Sequence, residues 1–278
     1  MNKIIIFGVM ITILIILLYV GYSSYEKDTA QKQKISELVK SKNLLFNISN
    51  LDTLDYDEGK NVITMYNAKY ELNPEFEEVY KEIGVTYDPQ NTVVIFPIFT
   101  SSAYTNNGFY SYYNEECGFE CLTVSINDDV RAEASGAGAQ ILRLLGYDII
   151  SDIQVTSNPE ILATYDKVIV LHNEYVTQDE FDAITNHPKV IYLYPNALYA
   201  KVTYDEKLGT ITLIRGHGYP ETSIVNGFDW KYDNTPMEYD STCEKMQFYE
   251  INNGIMLNCY PEQVIMSKGG LLKTIKEF

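Results

Sequence analysis

Three polar loops each follow an apolar run that reads as a β-strand, and they hold most of the side chains able to do chemistry. Thr100 to Asn114, TSSAYTNNGFYSYYN, follows VVIFPIF and contains Tyr104. His172-Asn173-Glu174-Tyr175 follows KVIVL, and Pro195-Asn196-Ala197-Leu198-Tyr199 follows KVIYLY. Loops at the carboxyl ends of strands project from a rigid base, which is where open α/β sheets gather their ligands. Glu174 is there a candidate acid or base; its plainer role is to cap the loop or meet a lysine. His172 is a candidate ligand or general base, or a satisfied buried histidine, because it sits just past an apolar strand. Asn196 and Tyr199 can orient a carbonyl or stack on a ligand, or can serve only the turn. His217, in Arg215-Gly216-His217-Gly218-Tyr219, lies in a glycine-flanked loop that can fold over such a site or stay as polar surface.

Other chemistries find little support. Ser135 in Ala-Ser-Gly-Ala-Gly lacks the Gly-x-Ser-x-Gly of a nucleophile elbow and opens a helical pattern. Gly136-Ala137-Gly138 has no third spaced glycine for a dinucleotide site. Cys117 and Cys121 in ECGFEC, and Cys243 and Cys259 about a hairpin-like stretch, suit two local disulfides. Half a zinc site at Cys117 and Cys121 is the alternative, with no histidine near any cysteine. Thirty-eight acidic against twenty-one basic residues give a net charge of −17 without a basic stripe, which argues against a nucleic-acid partner.

The loops need strands behind them. Runs at 93–99, 122–126, 148–154, 167–171 and 189–193 read as strands, and 134–145 and the stretch after Thr177 read as helices. Thr177 followed by Glu180 is a capping box, and Gly146 suits the end of the preceding helix. Asn73-Pro74 starts another helix. Alternating strands and helices predict a mainly parallel sheet. Beyond Val202 the pattern changes to hairpins, at 208–215 and about Asn252-Asn253-Gly254 in 246–257.

Ile4 to Tyr22, IIIFGVMITILIILLYVGY, is a run of nineteen residues without a charge. At about 1.5 Å per residue it nearly matches a hydrocarbon core of roughly 30 Å, so a single transmembrane anchor is expected over residues 1–25. A cleaved signal peptide is the competing reading, for which the run is long and the cleavage site poor. Residues 26–90 then form a stalk and connecting segment, and 91–278 the α/β domain. Lysines after the span, among them Lys27, Lys32 and Lys34, favour a cytoplasmic domain by the positive-inside count. Long domains translocate largely regardless of charge, and the paired cysteines favour the extracytoplasmic side.

TSSAYTNNGFYSYY resembles the signature loop of the large subunit of N,N-dimethylformamidase and its relatives, an Ala-Tyr-Asn segment followed by glycine and Ser-x-Tyr. LTVSINDD, LGYDIISDIQVTSNPEILATYDKVIVLHNEY and PNALYAKV are similar, in order, to further segments of that family. The resemblance covers about residues 92 to 230. It implies a flavodoxin-like α/β domain related to the class I glutamine amidotransferases, without their nucleophilic cysteine. It also implies hydrolysis of a small amide by water acidified on iron, which two tyrosinates and a glutamate hold. By motif position Tyr104 and Glu174 are the iron ligands here, with His172, Glu174 and Asn196 the candidate catalytic residues. The segment Asn127 to Val130, where the second tyrosine would fall, has none. Asn173 stands for an aspartate, Val176 and Ala200 for tryptophans and Lys201 for an arginine, whose bidentate grip lysine does not reproduce. These departures leave a second expectation open, a binding or structural module without catalysis.

Overall fold

A computed structural model describes residues 2–65 and 67–278; of 2–16, 62 and 132 only the backbone is described. The elements begin with α1 (Asn2–Ser41), β1 (Phe46–Ile48), β2 (Asp55–Asp57), β3 (Val62–Thr64), β4 (Tyr70–Leu72) and α2 (Glu77–Ile83). The α/β region follows with β5 (Thr92–Phe96), α3 (Ile98–Ala103), α4 (Phe109–Tyr113), β6 (Thr123–Ser125), α5 (Gly136–Leu144), β7 (Asp148–Ser151) and α6 (Asp152–Ser157). Next are β8 (Lys167–Val170), β9 (Tyr175–Val176), α7 (Gln178–Asn186), β10 (Val190–Tyr192), β11 (Ala200–Asp205) and β12 (Thr210–Arg215). The chain closes with β13 (Phe248–Ile251), β14 (Gly254–Leu257) and α8 (Gly269–Glu277). They fall into two compact units, 1–44 with 50–65, and 45–49 with 66–278.

The first unit holds α1 and the antiparallel β2–β3 hairpin. Leu17, Leu18, Tyr19, Val20 and Tyr22 of α1 stand exposed. The anchor expected over Ile4–Tyr22 lies mostly on side chains outside the described residues. Among the described residues, no helix is long and apolar enough to cross a membrane.

The second unit is an α/β structure around a six-stranded sheet of spatial order β13-β14-β10-β8-β5-β7. Every neighbouring pair is parallel except the edge hairpin β13–β14. Val93 to Ile95, Val168 to Val170 and Val190 to Tyr192 are all buried. Strands covered on both faces need such unbroken apolar runs, whereas a half-exposed strand alternates. Val155 of α6 and Ile184 of α7 join the core built on these strands. The direction of connection reverses between β5 and β8, since β7 lies beyond β5 while β10 and β14 lie beyond β8. A smaller sheet, β6-β12-β11-β9, packs its apolar face with Phe99, Phe109 and Tyr175.

Two boundaries differ from the sequence reading. The strand expected to reach Phe99 stops at Phe96, and past Pro97 the chain turns into α3. The strand expected over 148–154 ends at Ser151, whose hydroxyl accepts from Gln154 N–H while the Gln154 side chain returns to Ser151 N–H. That reciprocal capping box starts α6 and overrides the apolar alternation of Ile149, Ile150 and Ile153. At α7 the Thr177 hydroxyl does accept from Glu180 N–H, at 3.2 Å. Gly146, at φ +94°, closes the turn after α5 with its N–H on Arg143 O. Both expected disulfides form, Cys117–Cys121 and Cys243–Cys259, and no cysteine is left free for zinc.

Gly254 opens β14 directly against the sheet, where an added Cβ would stand 1.8 Å from Val190 O. Backbone cannot yield as a side-chain tip can. Gly254→Ala is therefore expected to part β14 from β10 and to cost about 2 kcal/mol, read as a lower urea midpoint with an unchanged m-value.

Candidate functional site

The site lies where the order of connection reverses, at the carboxyl ends of β5 and β8. Crevices form at such points because the two adjoining loops leave in opposite directions. Here the loops are tied together: Thr100 Oγ1 accepts from Glu174 N–H at 2.9 Å and from Tyr175 N–H at 3.2 Å. Asp152, buried at the start of α6, anchors α3 by accepting from Phe99 N–H at 2.7 Å. Burial holds the Asp152 carboxyl well above its ordinary value, although backbone N–H groups oppose the shift.

Glu174 is wholly buried. Its Oε2 accepts a short hydrogen bond from the Tyr104 hydroxyl, and its Oε1 lies 2.6 Å from His217 Nε2. Burial by itself pushes this carboxyl up, but the hydrogen bond and electrostatic influence of His217, the electrostatic influence of His172 and the hydrogen bond from Tyr104 outweigh it. The carboxyl ends below its ordinary value. For Tyr104 burial and the Glu174 charge act together and hold the phenol well above its usual range, so it stays protonated and donates.

His172 is buried with Nδ1 at 2.6 Å from Glu133 O. A carbonyl can only accept, so Nδ1 carries hydrogen, and in the neutral ring Nε2 bears the lone pair. That Nε2 has no hydrogen-bond partner and stands 3.7 Å from Glu174 Oε2. His172 N–H donates to Ser135 Oγ at 3.1 Å. The serine weighed as a nucleophile thus serves the histidine backbone, from a left-handed conformation at φ +60°.

His217 reaches Glu174 from the loop after β12. Tyr113 stacks on its ring at 4.6 Å between centroids, and Tyr199 meets it edge-on at 4.7 Å. The sequence signal was the glycine on each side; Gly216 and Gly218 themselves take positive φ, +118° and +76°, about His217 at +54°. Asn196, also left-handed at φ +62°, does not join this cluster; its Nδ2 donates to Glu238 Oε2. Asn173 Oδ1 accepts from Leu171 N–H at 3.1 Å and so shapes the loop.

A cleft of about 860 Å³ opens beside the cluster, lined by Tyr104 and His172 among others. Tyr110, Tyr260, Glu133 and Glu238 also line it. Tyr110 meets the Tyr104 ring edge-on at 4.9 Å, and Tyr260 meets His172 at 5.3 Å. Tyr260, Glu133 and Glu238 escaped sequence reading because they come from distant segments without periodicity, whereas Tyr110 lies in the loop Thr100 to Asn114. Asn127 and Asp129 line the cleft where the resemblance would place a second tyrosine. Among the described residues, no three or more histidine, cysteine, aspartate or glutamate side chains are grouped as metal ligands.

Behind His172, the Tyr194 hydroxyl donates to Glu262 Oε2 and Ala137 N–H donates to Glu262 Oε1, both at 2.8 Å. Burial raises the Glu262 carboxyl to about 7, the two donors only moderating the effect. The folded state then binds more protons than the unfolded one between about pH 4.5 and 7. Glu262 therefore contributes stability below pH 4.5 that is lost as pH rises to about 7. Glu262→Gln should flatten this slope by more than about 1.4 kcal/mol, measured as urea unfolding free energy at both ends of the window.

No protein-family model matches the chain, and no curated protein matches it.

Proposed function

We propose that the chain is a membrane-anchored relative of the N,N-dimethylformamidase large subunit that hydrolyses an amide carbon–nitrogen bond on the extracytoplasmic side. The observation that carries this reading is His172 Nε2, a buried ring nitrogen without a hydrogen-bond partner beside the Tyr104–Glu174 pair, on a residue that lines the cleft. The five parallel strands, numbered along the chain, run 2-1-3-4-5 across the sheet, which supports a flavodoxin-like fold. Tyr104 and Glu174, seventy residues apart in sequence, are hydrogen-bonded, which supports their sharing one site.

Iron is the metal the resemblance implies, and the donor chemistry fits it. Tyr104 Oη and Glu174 would hold it through oxygen. A phenol as tightly protonated as Tyr104 becomes a ligand only when a cation displaces its proton. When bound, iron supplies Lewis acidity, polarising a carbonyl and acidifying water. The chain's own residues do the rest. The Glu133 carbonyl fixes the His172 tautomer so that Nε2 can take a proton, and Tyr110 and Tyr260 screen the reacting groups from bulk water.

The exposed Leu17, Leu18, Tyr19, Val20 and Tyr22 support the anchor, and the two disulfides support an oxidising compartment. Protease digestion of intact cells should remove the α/β unit while sparing cytoplasmic markers. A second reading, a binding module without catalysis, is favoured by the Glu174 carboxylate, whose two oxygens are already engaged by Tyr104 and His217. Amine release from small N,N-dialkyl amides by the detergent-purified chain separates the two. Release by wild type but not by His172→Gln supports hydrolysis; no release from any amide supports the module.

A further inference from the structure

The cleft is acidic and walled by tyrosines, a combination that selects charge as well as shape. Tyr104, Tyr110, Tyr239 and Tyr260 turn toward it. Asp129, Glu133 and Glu238 add three carboxylates, against one cation, Arg131, which is already paired with Asp129 at 3.1 Å. Aromatic faces carry negative charge density and attract ammonium groups within about 6 Å of their centroids. Carboxylates placed among them add a Coulombic attraction that a neutral ligand does not feel.

The acidity here is built, beyond the general excess of acid in the chain. Glu238 accepts from the side chain of Asn196, a residue 2 % exposed and in the left-handed region. Non-glycine residues adopt that conformation at a cost, and asparagine tolerates it best. The next residue, Tyr239, is 83 % exposed while lining the cleft. A tyrosine so placed contributes no core packing, and a ligand is what its ring can cover. The same cleft is lined by buried His172, whose Nε2 has no hydrogen-bond partner.

We infer that the cleft takes a ligand bearing an ammonium group, with the cation between the Glu238 carboxylate and the tyrosine rings. On the hydrolytic reading, upon which this substrate class rests, the substrate is an amide carrying a quaternary or protonated amine. Its cation docks at Glu238 and Tyr239, and its amide reaches toward His172.

Calorimetric titration of the full chain in detergent with choline, and with its uncharged carbon isostere, tests the inference without requiring chemistry. Choline is expected to bind at least about tenfold more tightly than the isostere, a difference of one charge contact. Glu238→Gln and Tyr239→Ala should each weaken choline by about tenfold or less. Both side chains are partly or largely exposed, so these variants should fold as wild type. Equal binding of choline and the isostere, or choline binding untouched in both variants, overturns the inference. Choline binding as expected with no turnover of any amide overturns the hydrolytic reading alone and leaves the cation site standing.

Discussion

Glu174→Ala is expected to lower the free energy of unfolding by roughly 3–5 kcal/mol and to abolish the proposed amide hydrolysis. The carboxylate lies wholly inside the second unit, where it accepts from Tyr104 and pairs with His217. Removing it leaves the Tyr104 phenol and the His217 imidazole without their shared acceptor. Glu174→Gln separates folding from chemistry. Its amide keeps the shape and can still accept from Tyr104, so the stability loss should fall to roughly 1–3 kcal/mol, while hydrolysis should drop by at least about 100-fold. Urea unfolding and amine release read the two effects. A glutamine variant that hydrolyses at the wild-type rate would show that Glu174 is only structural.

Replacing Cys243 and Cys259 together with serine should cost about 3 kcal/mol, from the chain entropy that a loop of this length regains when unfolded. The two cysteines are 16 residues apart and flank the β13–β14 hairpin. The effect should reach the site as well. Asp240 accepts from Cys243 N–H and, through its carbonyl, from Tyr260 N–H, so the disulfide steadies the segment that carries Glu238 and Tyr260 to the cleft. The expected result is a lower urea midpoint and weaker ligand binding in the cleft. A loss below about 1 kcal/mol would mean that the hairpin is held by the sheet alone. Cys117–Cys121 closes only a short loop, and its removal should cost less.

What could be read in the residues followed local rules. Continuous apolar runs marked the parallel strands, Thr177 marked the start of α7, and cysteine spacing marked both disulfides. The overrun at 148–154 came from weighing the isoleucines over Ser151 and Gln154, whose capping box was equally legible. His172 and Glu174 could be singled out because strand ends carry ligands, and Tyr104 only through the resemblance of its loop. His217 was harder, since nothing in the sequence tells a glycine-flanked surface loop from one that folds inward. Asn196 was placed at the right strand end, but its partner is Glu238, forty-two residues later. Such contacts depend on how irregular segments pack, and no periodicity announces them.

The central claim is that Tyr104 and Glu174 meet to hold a metal that serves hydrolysis. Iron content of the detergent-purified full chain, beside Tyr104→Phe and Glu174→Gln, addresses it most directly. The account expects iron near one per chain in wild type and its loss in both variants. Wild type without metal and without amide turnover would contradict it.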